Sequence, residues 1–203
     1  NSGVSFSTMS SSPDILANAC SGATGNLGQG WYDLSCAASP TNANEVVVGG
    51  VNVWRSSNGG STWTNIGCWN SSVSNPPYIH ADIHELEYTS TGDLYSTNDG
   101  GVFYYTGTSW TDITAQRNIS QIYKIGLSSI SPNLWITGYQ DNGTSIFNNG
   151  SYNYTSGGDG MACFIDRTNN NNMFCSLQYG AFRRSSNGGN SWSSFTSGLV
   201  GTG

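Results

Sequence analysis

Two histidines and a few of the twelve acidic residues are the side chains of this 203-residue chain whose spacing could carry acid–base or metal chemistry. His80, Asp82 and His84 stand at i, i+2 and i+4. On a strand that spacing turns all three to one face, where a fourth ligand would complete a metal site. The plainer reading is a polar patch in which an imidazole bonds a carboxylate. Asp99, Asp141 and Asp159 each sit in a glycine-rich turn. Two carboxyl groups held about 5–10 Å apart can hydrolyse a glycosidic bond, one as acid and the other as nucleophile or base. Asp82, Asp99, Asp141 and Asp159 are therefore the catalytic candidates, against the alternative that Asp-Gly and Asp-Asn-Gly are ordinary turn chemistry. Trp31, Tyr32, Trp69, Tyr78 and Tyr139 lie near loops, where exposed rings can stack on sugar faces. No Ser-His-Asp arrangement, phosphate loop or zinc-type cysteine spacing appears, and no cofactor is expected.

The elements that must position these residues are set by a repeat. Ser56-Ser57-Asn58-Gly59-Gly60-Ser61-Thr62-Trp63 returns as Ser185-Ser186-Asn187-Gly188-Gly189-Asn190-Ser191-Trp192. Each copy follows a short apolar run and ends on a tryptophan, so each reads as a turn joining two strands. Ser56 and Ser185 are 129 positions apart, three times 43, and roughly 40–45 residues is the length of one four-stranded propeller blade. Two further blades are expected between the copies. Blades are predicted at about 31–66, 78–113, 120–155 and 158–196, with 1–30 as the end of a preceding blade plus a loop. Residues 1–6 overlay on Asn58-Gly59-Gly60-Ser61-Thr62-Trp63, with Phe6 in the place of Trp63, so the chain reads as a piece of a longer propeller. Trp54, Trp63, Trp110 and Trp192 are expected to pack between blades.

The pattern Ser-x-Asn-x-Gly-x-x-Trp, carried by Ser56, Asn58, Gly60 and Trp63 and by Ser185, Asn187, Gly189 and Trp192, resembles the Asp-box (BNR repeat) of sialidase-type, xyloglucanase-type and sortilin-type β-propellers. Asparagine stands here where that family more often has aspartate, which keeps the turn's hydrogen bonds without a charge. The phrases Gly30-Trp31-Tyr32-Asp33, His80-Ala81-Asp82-Ile83-His84, Asn98-Asp99-Gly100-Gly101, Gln140-Asp141-Asn142-Gly143 and Gly157-Gly158-Asp159-Gly160 are similar to those of large secreted bacterial proteins with such propellers. The resemblance implies an all-β fold, a β-propeller of four-stranded antiparallel blades with Asp-box turns, about four of them present. It also implies an extracellular or cell-surface setting, with the remainder of the propeller as a partner. For activity it implies either a glycan- or protein-binding scaffold, a xyloglucanase-like hydrolase, or a structural part of a surface assembly. Sialidase chemistry would need an arginine triad, and Arg55, Arg117, Arg167, Arg183 and Arg184 are scattered, with Arg55 and Arg184 at equivalent repeat positions.

Only 9% of residues are charged, net charge is −6, and the six Lys plus Arg form no cluster. That argues against nucleic acid and against anionic membrane as partners. No apolar run approaches a membrane span. Five cysteines point to an oxidising compartment. Cys163 and Cys175 flank a turn and are expected to bridge across a hairpin, while Cys20, Cys36 and Cys68 leave one thiol over, with Cys20–Cys68 the preferred pair. Asn70, Asn118, Asn142, Asn149 and Asn153 head glycosylation sequons.

Overall fold

The computed structural model describes residues 5–23, 28–115 and 120–198. The overlay of residues 1–4, Arg117 and the Asn118 sequon lie outside them. The chain divides into two compact units, Asn1–Arg117 and Asn118–Gly203, and each is built from two four-stranded antiparallel sheets.

The first unit holds β1 (Ser35–Ala38), β2 (Val46–Gly49), β3 (Val53–Ser56) and β4 (Thr64–Gly67), then β5 (Ile83–Tyr88), β6 (Leu94–Asn98), β7 (Gly101–Tyr105) and β8 (Trp110–Asp112). The second holds β9 (Ile122–Leu127), β10 (Leu134–Tyr139), β11 (Thr144–Asn148) and β12 (Ser151–Ser156), then β13 (Gly160–Ile165), β14 (Met173–Leu177), β15 (Phe182–Ser185) and β16 (Ser193–Ser194). Within each sheet the strands pair in chain order, the meander expected of a propeller blade. A single 3-10 turn, Gln178–Gly180, interrupts this all-β pattern among the described residues. Two sheets separate the two Ser-x-Asn turns in sequence, as the repeat length requires.

Short strands of alternating burial explain the packing. In the first unit Val47, Val53, Ile66, Ile79, Ile83, Leu86, Leu94, Phe103 and Trp110 form one core between the sheets. Gly49 lets them approach, since a Cβ there would stand 2.5 Å from Ile83. Trp110 locks the contact by donating its indole N–H to the Ile66 carbonyl at 2.8 Å. In the second unit Leu134, Ile136, Ile146, Cys163, Ile165, Met173 and Cys175 do the same work, with Trp192 against them. Trp54 and Trp63 depart from the between-sheet expectation. Trp54 is buried near Pro13 and Gly22, and Trp63 donates its N–H to Ser10 Oγ at 3.0 Å.

The two Ser-x-Asn turns carry the same hydrogen bonds. Ser56 Oγ accepts from Gly60 N at 2.8 Å and donates to Asn58 Oδ1 at 3.0 Å, while Asn58 Oδ1 accepts from Thr62 N at 2.9 Å. Ser185 Oγ accepts from Gly189 N and donates to Asn187 Oδ1, both at 2.9 Å, and Asn187 Oδ1 accepts from Ser191 N at 2.9 Å. Gly60 and Gly189, at φ +91° and +89°, supply the left-handed step.

The cysteine pairing corrects one expectation. Cys20 and Cys68 are joined by a disulfide across 48 positions. Cys163 and Cys175 do lie directly opposite in the β13–β14 register, yet both are free, buried thiols. The Cys163 Sγ is turned to the carbonyls of Ile136 and Lys124, at 3.3 and 3.5 Å, so it serves the packing of β13 on β9 and β10 and does not bridge its own hairpin.

Candidate functional site

Strand direction decides which residues can meet. In the first unit the start of β1, the β2–β3 turn, the end of β4, the start of β5 and the β6–β7 turn gather at one end of the two sheets, joined by Ile83 N donating to Gly50 O at 2.9 Å. The Ser56–Trp63 turn lies at the other end. Most of the sequence-predicted site residues of this unit fall at the first end.

A tight turn before β1, in which Tyr32 N and Asp33 N both donate to Gln29 O at 2.7 and 3.0 Å, presents Trp31 and Tyr32 outward. Trp31 is 87% exposed and Tyr32 43%, and their rings lie 5.9 Å apart. Tyr32 stacks edge-on with His84, centroids 5.1 Å apart at 88°. Both then converge on Asp99 in the β6–β7 turn. The Tyr32 hydroxyl donates to Oδ2 at 3.1 Å, and His84 Nε2 stands 2.5 Å from Oδ1.

Beneath this row lies a second acidic layer. Gln29 Nε2 donates to Asp82 Oδ1 and, at 3.4 Å, to Asp33 Oδ2. Asp33 is fully buried, and its Oδ1 has no hydrogen-bond partner among the described residues. Burial pushes its carboxyl up to about 6; the Gln29 bond opposes this and the Asp82 charge adds to it. The Asp82 carboxyl is also raised, first by burial and then by the charge of Asp99, with His80 and His84 opposing.

The three residues of the metal alternative do not line up on one strand face. β5 begins only at Ile83, and Asp82 has a left-handed backbone at φ +65°, so the two-residue alternation that would align His80, Asp82 and His84 does not run through them. His80 contacts its neighbour's Ala81 carbonyl at 3.3 Å and packs against Gly100. Among the described residues no group of three His, Cys, Asp or Glu is arranged to hold a metal ion.

In the second unit, Asp141 and Asp159 do meet. Asp159 Oδ1 accepts from Asp141 N at 2.8 Å, and Asp159 N donates to Gln178 Oε1 at 2.9 Å. These bonds tie three loops together, which is turn work. Tyr139 ends β10 and is half-buried, with burial raising its phenol. Of the remaining aromatics, Trp69 and Tyr78 flank the loop that follows Cys68, each nearly half exposed. Two of the arginines are occupied elsewhere, Arg55 over the Tyr105 ring and Arg184 over Phe195.

Sequence reasoning missed Asp33 and Gln29. A signal was present, because Asp33, Asp82 and Asp159 all stand just before the first strand of a sheet, a repeat-equivalent position.

These sheets make the chain an all-β protein of propeller-blade construction. No protein-family model and no curated protein matches the sequence. Among solved structures it is similar to the GH74 xyloglucanase of Xanthomonas campestris at 15% identity, covering 81% of this chain and 30% of that one, TM-score 0.35. A GH74 enzyme of Niastella koreensis shares 22% identity over 79% of this chain and 29% of its own, TM-score 0.33. YCF48 from Cyanidioschyzon merolae shares 14% over 78% and 57%, TM-score 0.32. The chain thus spans under a third of the two GH74 enzymes. At these identities and TM-scores the likeness carries no argument about what the chain does.

Proposed function

We propose that this chain is a non-catalytic glycan-binding module of a secreted or cell-surface Asp-box propeller, taking its ligand at the Trp31–Tyr32–His84–Asp99 end of the first unit. The observation that carries the reading is the exposed Trp31 ring beside Tyr32, whose hydroxyl is anchored on Asp99. A flat apolar face next to a fixed carboxylate and imidazole suits a sugar ring, which stacks on one face and offers hydroxyls at its edge. A protein partner would seek a broader apolar patch. The Cys20–Cys68 disulfide supports an oxidising compartment. No described helix is long and apolar enough to cross a membrane.

Catalysis is disfavoured by the placement of the carboxyls. Asp33, the one pushed to about 6, is fully buried and cannot touch a glycosidic oxygen. Asp159 holds loops together. One observation favours the second reading, a xyloglucanase-like hydrolase: the Asp82 carboxyl is raised by burial and by the Asp99 charge, the direction a general acid requires.

Affinity electrophoresis through gels containing soluble neutral and acidic polysaccharides tests the proposal. At least one polysaccharide should retard the chain, and Trp31→Ala should weaken that retardation about tenfold, roughly 1.4 kcal/mol. Retardation unchanged by Trp31→Ala would remove this end of the sheets as the site.

A further inference from the structure

A groove in the first unit, outside the Trp31 row, has its own construction. Loop 14–22 forms one wall and loop 68–77 the other. The groove encloses about 440 Å³ and is lined by Trp69, Asn18, Asn70, Val73, Asn75 and Pro76, a volume in the range of small-ligand pockets. None of its lining residues is charged.

Its two walls are tied together at several points. The Cys20–Cys68 disulfide crosses its base. Trp69 donates its indole N–H to Asn18 O at 2.8 Å. Asn65 Nδ2 donates to Cys20 O at 2.8 Å. Asn52, fully buried in the β2–β3 turn, donates both amide hydrogens, to Ala17 O and Asn18 O at 3.1 and 3.2 Å, and accepts from Trp69 N at 3.4 Å. A buried side-chain amide satisfied by both walls fixes their separation, and walls fixed before binding lower the ordering cost of a ligand.

We infer that this groove is a second, preformed subsite for a neutral pyranose ring, stacked on Trp69 and hydrogen-bonded by the side-chain amides of the two loops. The chemistry follows from the lining. An ionic ligand would find no counter-charge there, and a wholly apolar one would cover the exposed amides of Asn18 and Asn75 without bonding them; the Asn70 Oδ1 already accepts from Ser72 N at 3.0 Å, which leaves its amide nitrogen to donate. A sugar ring offers an apolar face for the indole and hydroxyls for the amides. Trp69 keeps 45% of its surface open although its N–H is engaged, which leaves the ring for contact. The subsite does not depend on the Trp31 end being a binding site.

The test is isothermal titration of the full chain with neutral oligosaccharides, namely cellohexaose, xylohexaose and mannohexaose. Five proteins are compared: wild type, Trp69→Ala, Trp69→Phe, Asn52→Ala and Trp31→Ala, each checked for wild-type far-UV circular dichroism. Binding by wild type that falls at least tenfold in Trp69→Ala and stays within about threefold in Trp69→Phe supports the subsite. Asn52→Ala, which frees the walls and leaves the lining intact, should also weaken binding. No heat from any of the three sugars overturns the inference. So does binding that Trp69→Ala leaves unchanged; loss confined to Trp31→Ala would then assign the sugar to the other site.

Discussion

Replacing Asp33 by asparagine should stabilise the protein at neutral pH and leave it unchanged in acid. Asp33 is fully buried beside Asp82, with one carboxylate oxygen unpartnered. Its carboxyl rises from 3.8 to about 6. The folded chain therefore binds this proton more tightly than the unfolded chain. Between about pH 4 and pH 6 stability falls as pH rises, and above that the full cost of the buried charge is present. A shift of about two units at 1.36 kcal/mol each makes that cost about 3 kcal/mol. Asparagine imitates the protonated form in size and still accepts from Gln29. Asp33→Asn should thus gain about 3 kcal/mol at pH 8, equivalent to about 6–12 °C in Tm for a chain of this length, and about nothing at pH 4. Urea unfolding at pH 4, 5, 6, 7 and 8, followed by tryptophan fluorescence, reads both limits. A gain of similar size at every pH would refute the electrostatic cause, and a loss at pH 8 would refute the burial argument itself.

Thiol chemistry should separate the three free cysteines. Burial raises the Cys163 thiol, and the Cys175 thiol to about 11, so a native chain should give one fast equivalent with an alkylating agent, at exposed Cys36, and three only after unfolding. Mass mapping of the labelled peptides checks this, and fast labelling of Cys175 would contradict it. The duplicated turns should cost alike. Ser56→Ala and Ser185→Ala each remove an acceptor for a glycine N–H, so each should destabilise by about 1–3 kcal/mol in urea unfolding. A loss under about 0.5 kcal/mol in either would show that the shared bonds do not hold the turn.

The fold was legible because it is repetitive. One eight-residue phrase, Ser56 to Trp63, returns at Ser185 to Trp192, and the described residues carry four four-stranded antiparallel sheets in chain order. The site was only partly legible. Asp99 and His84 were flagged separately, since contact between a strand residue and a turn of the neighbouring hairpin depends on register, which a bulge between Ile83 and Glu85 shifts. Asp33 escaped because its signal is positional: it shares with Asp82 and Asp159 a place just before the first strand of a sheet, and no local residue pattern marks that place. The shared strand face that a metal site at His80, Asp82 and His84 would need is interrupted by the left-handed step at Asp82, whereas the plainer reading, an imidazole on a carboxylate, describes His84 and Asp99. The Cys163–Cys175 reading placed the residues opposite each other correctly, but register does not say toward which neighbour a thiol turns.

The central claim, binding without cleavage, is tested most directly by measuring reducing-end release from the polysaccharide that retards the chain, using wild type beside an Asp82→Ala, Asp99→Ala double variant. The account predicts no release by either protein while wild type still binds. Release by wild type that disappears in the double variant would make the Asp82–Asp99 pair a catalytic centre and contradict it.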